Sequence, residues 1–295
     1  MVKKLLFLVL LLLFVSGCNT IKPNVPVQQA PITPFVVNEV PVVMINDTNS
    51  TNETIPEIPP LLIERGKLNV LLLHESNTTL IITPGDNVYL INSGTEESVY
   101  TVLGKLQDNG LLLDGLILTY PSKEKIQGAP YIIMKYEPKV YETGLPSNLK
   151  EFSLYHRYAN NVTTVIQKET NIIVDGVIIT LIPPYENGGF INDLEQNTLV
   201  IKIVYGRFSL AQLDGCYFDC QERIKLESKI LVTNNNACPF FKTDFLLAAL
   251  PIEIVSPDEN CIQTRGVKYI NIKTVSPKKD YLFISDGNTT IEGLA

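Results

Sequence analysis

The chain has 295 residues, 45% of them hydrophobic, which is enough for one large folded domain or two small ones. Lys and Arg number 24 against 31 Asp and Glu, so the net charge is −7, and no block of basic residues is present to bind phosphates. This charge balance argues against nucleic acid as a partner. The two histidines, His74 and His156, are too few for a multinuclear zinc site built mainly from imidazoles.

The N-terminus has the pattern of a secretory signal. Two lysines precede an apolar run from Leu5 to Val15, which is too short to span a bilayer as a helix. The run ends in Val15-Ser16-Gly17-Cys18, which resembles the lipobox of prokaryotic lipoproteins; an ordinary signal peptide with an unrelated Cys is the alternative. We therefore predict a signal peptide at 1–17, a lipid on Cys18 and an extracytoplasmic protein anchored to the cell membrane by that lipid.

Residues 18–66 are predicted to form an extended tether. The stretch 19–60 holds eight of the 19 prolines and little charge, so it cannot bury enough apolar surface to offset the entropy lost on ordering. Three N-glycosylation acceptors stand back to back in it, which indicates a glycosylated stalk and suits an archaeal cell surface. The acceptors in the tether are Asn46, Asn49 and Asn52, and three more begin at Asn77, Asn161 and Asn288.

Residues 67–295 are predicted to form the folded domain, with many strands and single helices between them. Continuous apolar runs bounded by turn residues predict the strands, and apolar residues at helical spacing predict the helices. The predicted strands lie at 68–73, 80–83, 88–91, 112–119, 172–174, 177–179, 198–205, 208–213, 230–232 and 252–255, and the helices at 99–106, 129–136, 149–158 and 245–250. This order favours a layered α/β sandwich over a helical bundle or a pure β-barrel.

Four cysteines remain in the folded domain if Cys18 carries a lipid. An even number in an oxidising compartment predicts two disulfides, for which three connectivities are open. A cysteine-based zinc site is the alternative, but the spacing matches no familiar ligand pattern. The four residues are Cys216, Cys220, Cys238 and Cys261.

The order of the elements and several short phrases resemble the metallo-β-lactamase superfamily, closest to the competence-type branch found in DNA-uptake proteins. The segments 68–73, 80–85 and 89–94 keep its opening outline of strand, Thr-Pro-Gly turn and a strand ending near Asp-x-Gly. The segment 114–130 follows the phrase that carries the family's first metal ligands, and 199–214 resembles the hairpin that ends in its metal-bridging Asp. The resemblance implies a four-layer αββα sandwich.

The same resemblance implies that the metal ligands have been replaced. The positions that match the family metal motif are Tyr120, Ser122, Glu124, Lys125, Asp214, Asn235 and Asn236, where the family has His, His, Asp, His, Asp, His and His. Tyr and Ser are poor zinc ligands at their normal pKa, and a Lys places a cation where a divalent metal would sit. We therefore expect no metal and no cofactor, although Glu124 and Asp214 together could bind a hard cation weakly.

The remaining polar residues have ordinary interpretations. His74 is predicted to lie in an exposed loop and His156 on an amphipathic helix face. Glu124 and Lys125 are interpreted as part of a solvated surface loop, and Asp214 as part of a turn.

The sequence thus favours a non-catalytic module that binds an unknown surface protein or glycan. The alternative is a metal-dependent hydrolase of the phosphodiesterase or nuclease kind with an altered centre around Glu124, Asp214 and the Asn residues that include Asn235 and Asn236.

Overall fold

The computed structural model describes residues 62–119, 122–144, 152–159, 161–183, 198–216, 218–233, 241–256 and 272–294. The predicted signal peptide, the lipidation site at Cys18, the sequons at Asn46, Asn49 and Asn52 and all but the last residues of the tether lie outside these ranges. Among the described residues, no helix has the length and hydrophobicity needed to cross a membrane.

The described residues form fifteen strands and six helices. The strands are β1 (Leu68–Leu73), β2 (Thr78–Ile82), β3 (Val88–Ile91), β4 (Gly115–Ile117), β5 (Lys139–Glu142), β6 (Thr163–Val165), β7 (Thr170–Val174), β8 (Val177–Ile182), β9 (Val200–Tyr205), β10 (Phe208–Gln212), β11 (Ile230–Val232), β12 (Glu253–Val255), β13 (Lys273–Val275), β14 (Tyr281–Ser285) and β15 (Thr290–Leu294). The helices are α1 (Val99–Asp108), α2 (Lys123–Ile126), α3 (Ala129–Tyr136), α4 (Ser153–Ala159), α5 (Phe218–Arg223) and α6 (Thr243–Ala249).

The strands assemble into two sheets. The first sheet has the order β15-β14-β1-β2-β3-β4-β5-β6, and the second has the order β13-β12-β11-β10-β9-β8-β7. In the first sheet β14, β1, β2 and β3 pair antiparallel, whereas β3, β4, β5 and β6 run parallel. In the second, β7 to β10 pair antiparallel and β10 to β13 run parallel. The parallel part of each sheet brings several carboxyl ends to one edge.

Three hydrophobic clusters show that the sheets pack face to face with helices outside them. Side chains alternate along β1, so Leu68 and Val70 lie in the cluster between the sheets, while Leu71 and Leu73 lie in the cluster on the outer face. Helices α1, α3 and α4 cover that outer face, and α6 covers the outer face of the second sheet. Strands buried on both faces are apolar at nearly every position, which explains the continuous runs in the sequence. The four-layer αββα sandwich is confirmed.

Turns from the two sheets are joined at one end of the sandwich. The Asp175 carboxylate in the β7–β8 turn accepts hydrogen bonds from Thr83 Oγ1 at 2.5 Å, Asn87 Nδ2 at 2.8 Å and the Gly85 amide at 3.1 Å, all in the β2–β3 turn. These hydrogen bonds lower the pKa of Asp175, and the one from Thr83 has the largest effect. This end lies opposite the carboxyl ends of β3 and β10, and the candidate site lies at those carboxyl ends.

Most of the predicted elements are present. The three hairpins, the helices near 99–106, 129–136 and 245–250, and the strands near 230–232 and 252–255 are confirmed within one to three residues. The predicted strand at 112–119 is too long, because only Gly115–Ile117 pair with neighbours. The helix predicted at 149–158 is described only from Ser153, and strands β5, β6, β13, β14 and β15 were not predicted.

Candidate functional site

A buried polar cluster lies where strands of both sheets reach their carboxyl ends. Asn92 follows β3, Thr119 lies two residues after β4, and Asp214 lies two residues after β10. All three side chains are buried. Asn92 adopts a left-handed backbone conformation with a φ of 63°, which Asn tolerates better than most residues.

The Asp214 carboxylate is the centre of the cluster. Its Oδ2 accepts hydrogen bonds from Gln212 Nε2 at 2.7 Å and Asn92 Nδ2 at 2.8 Å. The Thr119 hydroxyl lies 3.0 Å from the same oxygen and 2.8 Å from Asn92 Oδ1, so its single hydrogen is shared between two acceptors. Asn92 Oδ1 also accepts the Thr119 amide at 3.0 Å. Neutral donors from both sheets therefore solvate a carboxylate that water does not reach.

Lys125 provides the positive charge for this carboxylate. Its Nζ lies 3.5 Å from Asp214 Oδ2, and both side chains are only 3% exposed. The residue is held in place through its main chain, because its carbonyl accepts the Ser93 amide and the Ser93 hydroxyl, both at 2.8 Å. A buried carboxylate without a compensating cation would carry a large desolvation cost, so the ion pair accounts for the burial of both residues.

This arrangement corrects the surface-loop interpretation of residues 123–125. Lys125 is buried on helix α2, and Glu124 on the same helix is exposed. The helix buries Lys125 because the carboxylate that pairs with it is supplied by β10, far away in the sequence. The interpretation of Asp214 as an ordinary turn residue is also incomplete, because its Oδ2 accepts the hydrogen bonds at the centre of the cluster.

The other predicted site positions are only partly described. Ser122 is half-buried and directly precedes α2. Tyr120, Asn235 and Asn236 lie outside the described residues. The described part of the sandwich therefore brings together Lys125 and Asp214 from the predicted set.

The side chains around Asp214 do not fit a zinc centre. A zinc ligand must present a lone pair, whereas Asn92, Thr119, Gln212 and Lys125 all direct hydrogens at the carboxylate. An ammonium group also repels a divalent cation, by several kcal/mol at roughly 4 Å even at an effective dielectric constant of about 20. Among the described residues, no group of three or more His, Cys, Asp or Glu could hold a metal ion.

A cavity of about 310 Å³ lies beside the cluster. Gln212 and Asp214 line it from the second sheet, and the turn between β1 and β2 lines it from the first, with His74 and Glu75 at its exposed rim. Lys279 lies at the same rim. His74 is exposed, as predicted. This is the concave site that the described residues place next to the buried ion pair.

A disulfide bond closes a short loop just after Asp214 in the sequence. Cys216 and Cys220 are bonded across a sequence separation of four, which confirms a disulfide for this pair and removes both thiols as zinc ligands. Cys238 and Cys261 lie outside the described residues. Cys216 is fully buried in the core between the second sheet and its helices.

The remaining candidate residues lie outside the Asp214 cluster, although one of them, Asn77, lines the cavity beside it. The sequon residues Asn77, Asn161 and Asn288 are exposed, so each side chain is accessible, and their glycosylation stays a prediction. His156 is half-buried on α4, and its ring contacts Tyr155 edge-on with centroids 5.3 Å apart. None of these residues touches the Asp214 cluster through an interaction recorded among the described residues.

Sequence reasoning missed Asn92, Thr119 and Gln212 as members of the site. One signal pointed to Asn92, because the segment 89–94 matches the family's strand that ends near Asp-x-Gly, and Asn92 stands where the Asp is expected. Gln212 carried no such signal. It lies in a strand whose neighbours are apolar, and only its position opposite the first sheet reveals its contact.

Comparison with known proteins supports the fold by structure and not by sequence. No protein-family model matches the chain, and no curated protein matches it in sequence. The crystal structure of the metallo-β-lactamase fold protein YhfI from Bacillus subtilis is similar with a TM-score of 0.54 and 10% identity, covering 74% of this chain and all of that one. MEM-A1, a subclass B3 metallo-β-lactamase from a soil metagenome library, gives a TM-score of 0.40 and 12% identity over 53% of this chain and 72% of its own. The chain therefore has the metallo-β-lactamase fold.

Proposed function

We propose that this metallo-β-lactamase fold serves as a non-catalytic binding module, held on the outer side of the cell membrane by a lipid on Cys18. The observation that supports the proposal is the Lys125–Asp214 ion pair, buried in the cluster where strands of both sheets end. We further propose that the fold derives from the competence-type branch and that its metal motif is degenerate. The ligand of the module is proposed to be a surface glycan or a surface protein.

The ion pair supports the loss of metal chemistry through its charge. In the family that the sequence resembles, the Asp at this position bridges two metal ions. Here an ammonium group provides the positive charge that the carboxylate needs, and amide and hydroxyl donors bind the same oxygen, Oδ2. The ammonium group of Lys125 can compensate the Asp214 charge without a metal, but it cannot generate a metal-bound hydroxide.

Metal content and hydrolysis together test this proposal. The purified full-length protein is dialysed against zinc, manganese and calcium in turn, and bound metal is measured by mass spectrometry. We expect less than one tenth of an ion per chain and no turnover of bis-p-nitrophenyl phosphate above the rate without protein. One or two retained ions with turnover that Asp214→Asn abolishes would overturn the proposal and favour the hydrolase alternative.

The membrane anchor is tested separately. Metabolic labelling with a fatty acid is expected to label the wild-type protein and to leave Cys18→Ser unlabelled. We also expect that variant to leave the membrane fraction. Equal membrane association of the two proteins would contradict the lipid anchor, and it would leave the proposal about metal chemistry untouched.

A further inference from the structure

The cavity beside the Asp214 cluster contains a buried acceptor that lacks a hydrogen-bond partner. Gln212 is 3% exposed and lines the cavity, and among the described residues no group donates to its Oε1. The other half of the same amide is committed, because Nε2 donates to Asp214 Oδ2 at 2.7 Å. Turning the amide over would place Oε1 against the carboxylate, so Asp214 fixes the orientation that leaves the acceptor unsatisfied.

A buried acceptor that no described residue satisfies can be satisfied by a bound molecule. A buried carbonyl oxygen without a partner is destabilising, and native structures normally satisfy such atoms with protein, water or ligand. Gln212 lines the cavity, so a molecule bound there lies next to the amide that carries this acceptor. The chemistry required of that molecule is an O–H or N–H group.

The charges around the cavity select a neutral molecule. Lys125 already neutralises Asp214 at the base, and the rim has one acidic residue, Glu75, and one basic residue, Lys279. An anion would face the Glu75 carboxylate and the Gln212 acceptor, and a cation would face the Lys279 ammonium group at the rim. Neither sign of net charge is therefore favoured over a neutral ligand.

The walls of the cavity combine polar and apolar side chains, and its volume is small. Leu72, Val232 and Val255 line it from the two inner sheet faces and offer contact to C–H groups. A volume of about 310 Å³ lies at the lower end of small-molecule sites, which span roughly 300–1,000 Å³. A ring of carbon atoms bearing hydroxyl groups combines the donors, the C–H surface and the size that these walls accommodate.

We infer that this cavity binds one neutral sugar residue, with a sugar hydroxyl donating to Gln212 Oε1. The inference rests on the proposed function, because it takes Lys125 rather than a metal as the cation beside Asp214. A free sugar and the terminal residue of a glycan present the same hydroxyl chemistry to the cavity.

Saturation-transfer NMR on the full-length protein tests the inference. The probes are glucose, galactose, mannose and N-acetylglucosamine, each used free and as its methyl glycoside, which mimics the end of a glycan. We expect saturation transfer to at least one of these sugars from the chelator-treated protein. Transfer to a methyl glycoside as strong as to the free sugar indicates a glycan end, and transfer to the free sugar alone indicates a monosaccharide.

Two variants connect the signal to the cavity. Gln212→Met removes the acceptor, and Val232→Phe fills the cavity without changing a member of the Asp214 cluster. We expect each to lower the transfer at least fivefold. The matched controls are Gln107→Met on α1 and Val165→Phe on β6, both away from the cavity and both expected to keep the wild-type signal.

The outcomes separate this inference from the proposed function. No transfer from the metal-free wild-type protein, or transfer that Val232→Phe leaves unchanged, would overturn the sugar site and leave the binding module without metal in place. Retained metal with hydrolytic turnover would instead refute the proposed function itself.

Discussion

The Lys125–Asp214 pair predicts a strong energetic coupling that a double-mutant cycle can measure. Lys125→Met keeps an unbranched side chain of similar length and removes the charge, and Asp214→Asn removes the opposite charge with little change of shape. At 3.5 Å and an effective dielectric constant of about 20, the attraction between the charges is about 5 kcal/mol before desolvation is counted. Removing one partner of a buried pair costs about 3–5 kcal/mol, because the other charge stays buried and uncompensated.

We expect the single variants to lower the free energy of unfolding by about 3–5 kcal/mol. The lower end of the range applies to Lys125→Met, since Asp214 keeps its neutral donors from Asn92, Thr119 and Gln212. The double variant is expected to lose about 2 kcal/mol less than the sum of the singles, because no lone charge remains. Urea unfolding followed by far-UV circular dichroism measures all four proteins.

The control cycle uses Lys105→Met and Asp280→Asn. That pair has a shorter contact of 2.6 Å, but its side chains are 12% and 17% exposed, against 3% for Lys125 and Asp214, so water reaches it more easily and we expect a smaller coupling. Losses that simply add at Lys125 and Asp214, within about 0.5 kcal/mol, would refute the reasoning, because they would show that the two buried charges do not compensate each other.

Two further predictions concern a disulfide and a buried carboxyl group. The bond between Cys216 and Cys220 closes a loop of about five residues, so replacing both by Ala should lower the free energy of unfolding by about 2 kcal/mol in chemical denaturation, and an unchanged midpoint would contradict this. The pKa of Glu253 is raised from 4.5 to about 7, and the main cause is the burial of its side chain. Because folding then favours the protonated form, its contribution to stability is present below about pH 4.5 and is lost as the pH rises to about 7. Glu253→Gln should flatten this part of the stability profile, and an equally steep decline in the variant would show that other groups cause it.

Much of the sandwich could be predicted because its signals are local. The β7–β8 hairpin follows from Asp175-Gly176, both of which adopt positive φ in the turn, as the Asp-Gly preference requires. The strands at 68–73 and 88–91 follow from apolar runs that are buried on both faces. The missed strands β5, β6 and β13 have three or four residues each, too few to show a period, and β14 becomes a strand by pairing with β1 from the other end of the domain.

The candidate site depends even more than the strands on contacts between residues far apart in the sequence. From the sequence alone, residues 123–125 are three charged residues in a row, and nothing local distinguishes the one that is buried. The partner of Lys125 is 89 residues away, and the two meet only because helix α2 follows a strand of one sheet while Asp214 follows a strand of the other. The sequence by itself determined most of the elements, their layers and the absence of enough histidine for an imidazole-rich zinc site. The tertiary structure alone decided that a lysine and an aspartate share one buried position, because the cost of burying a charge is offset by partners that only the fold brings together.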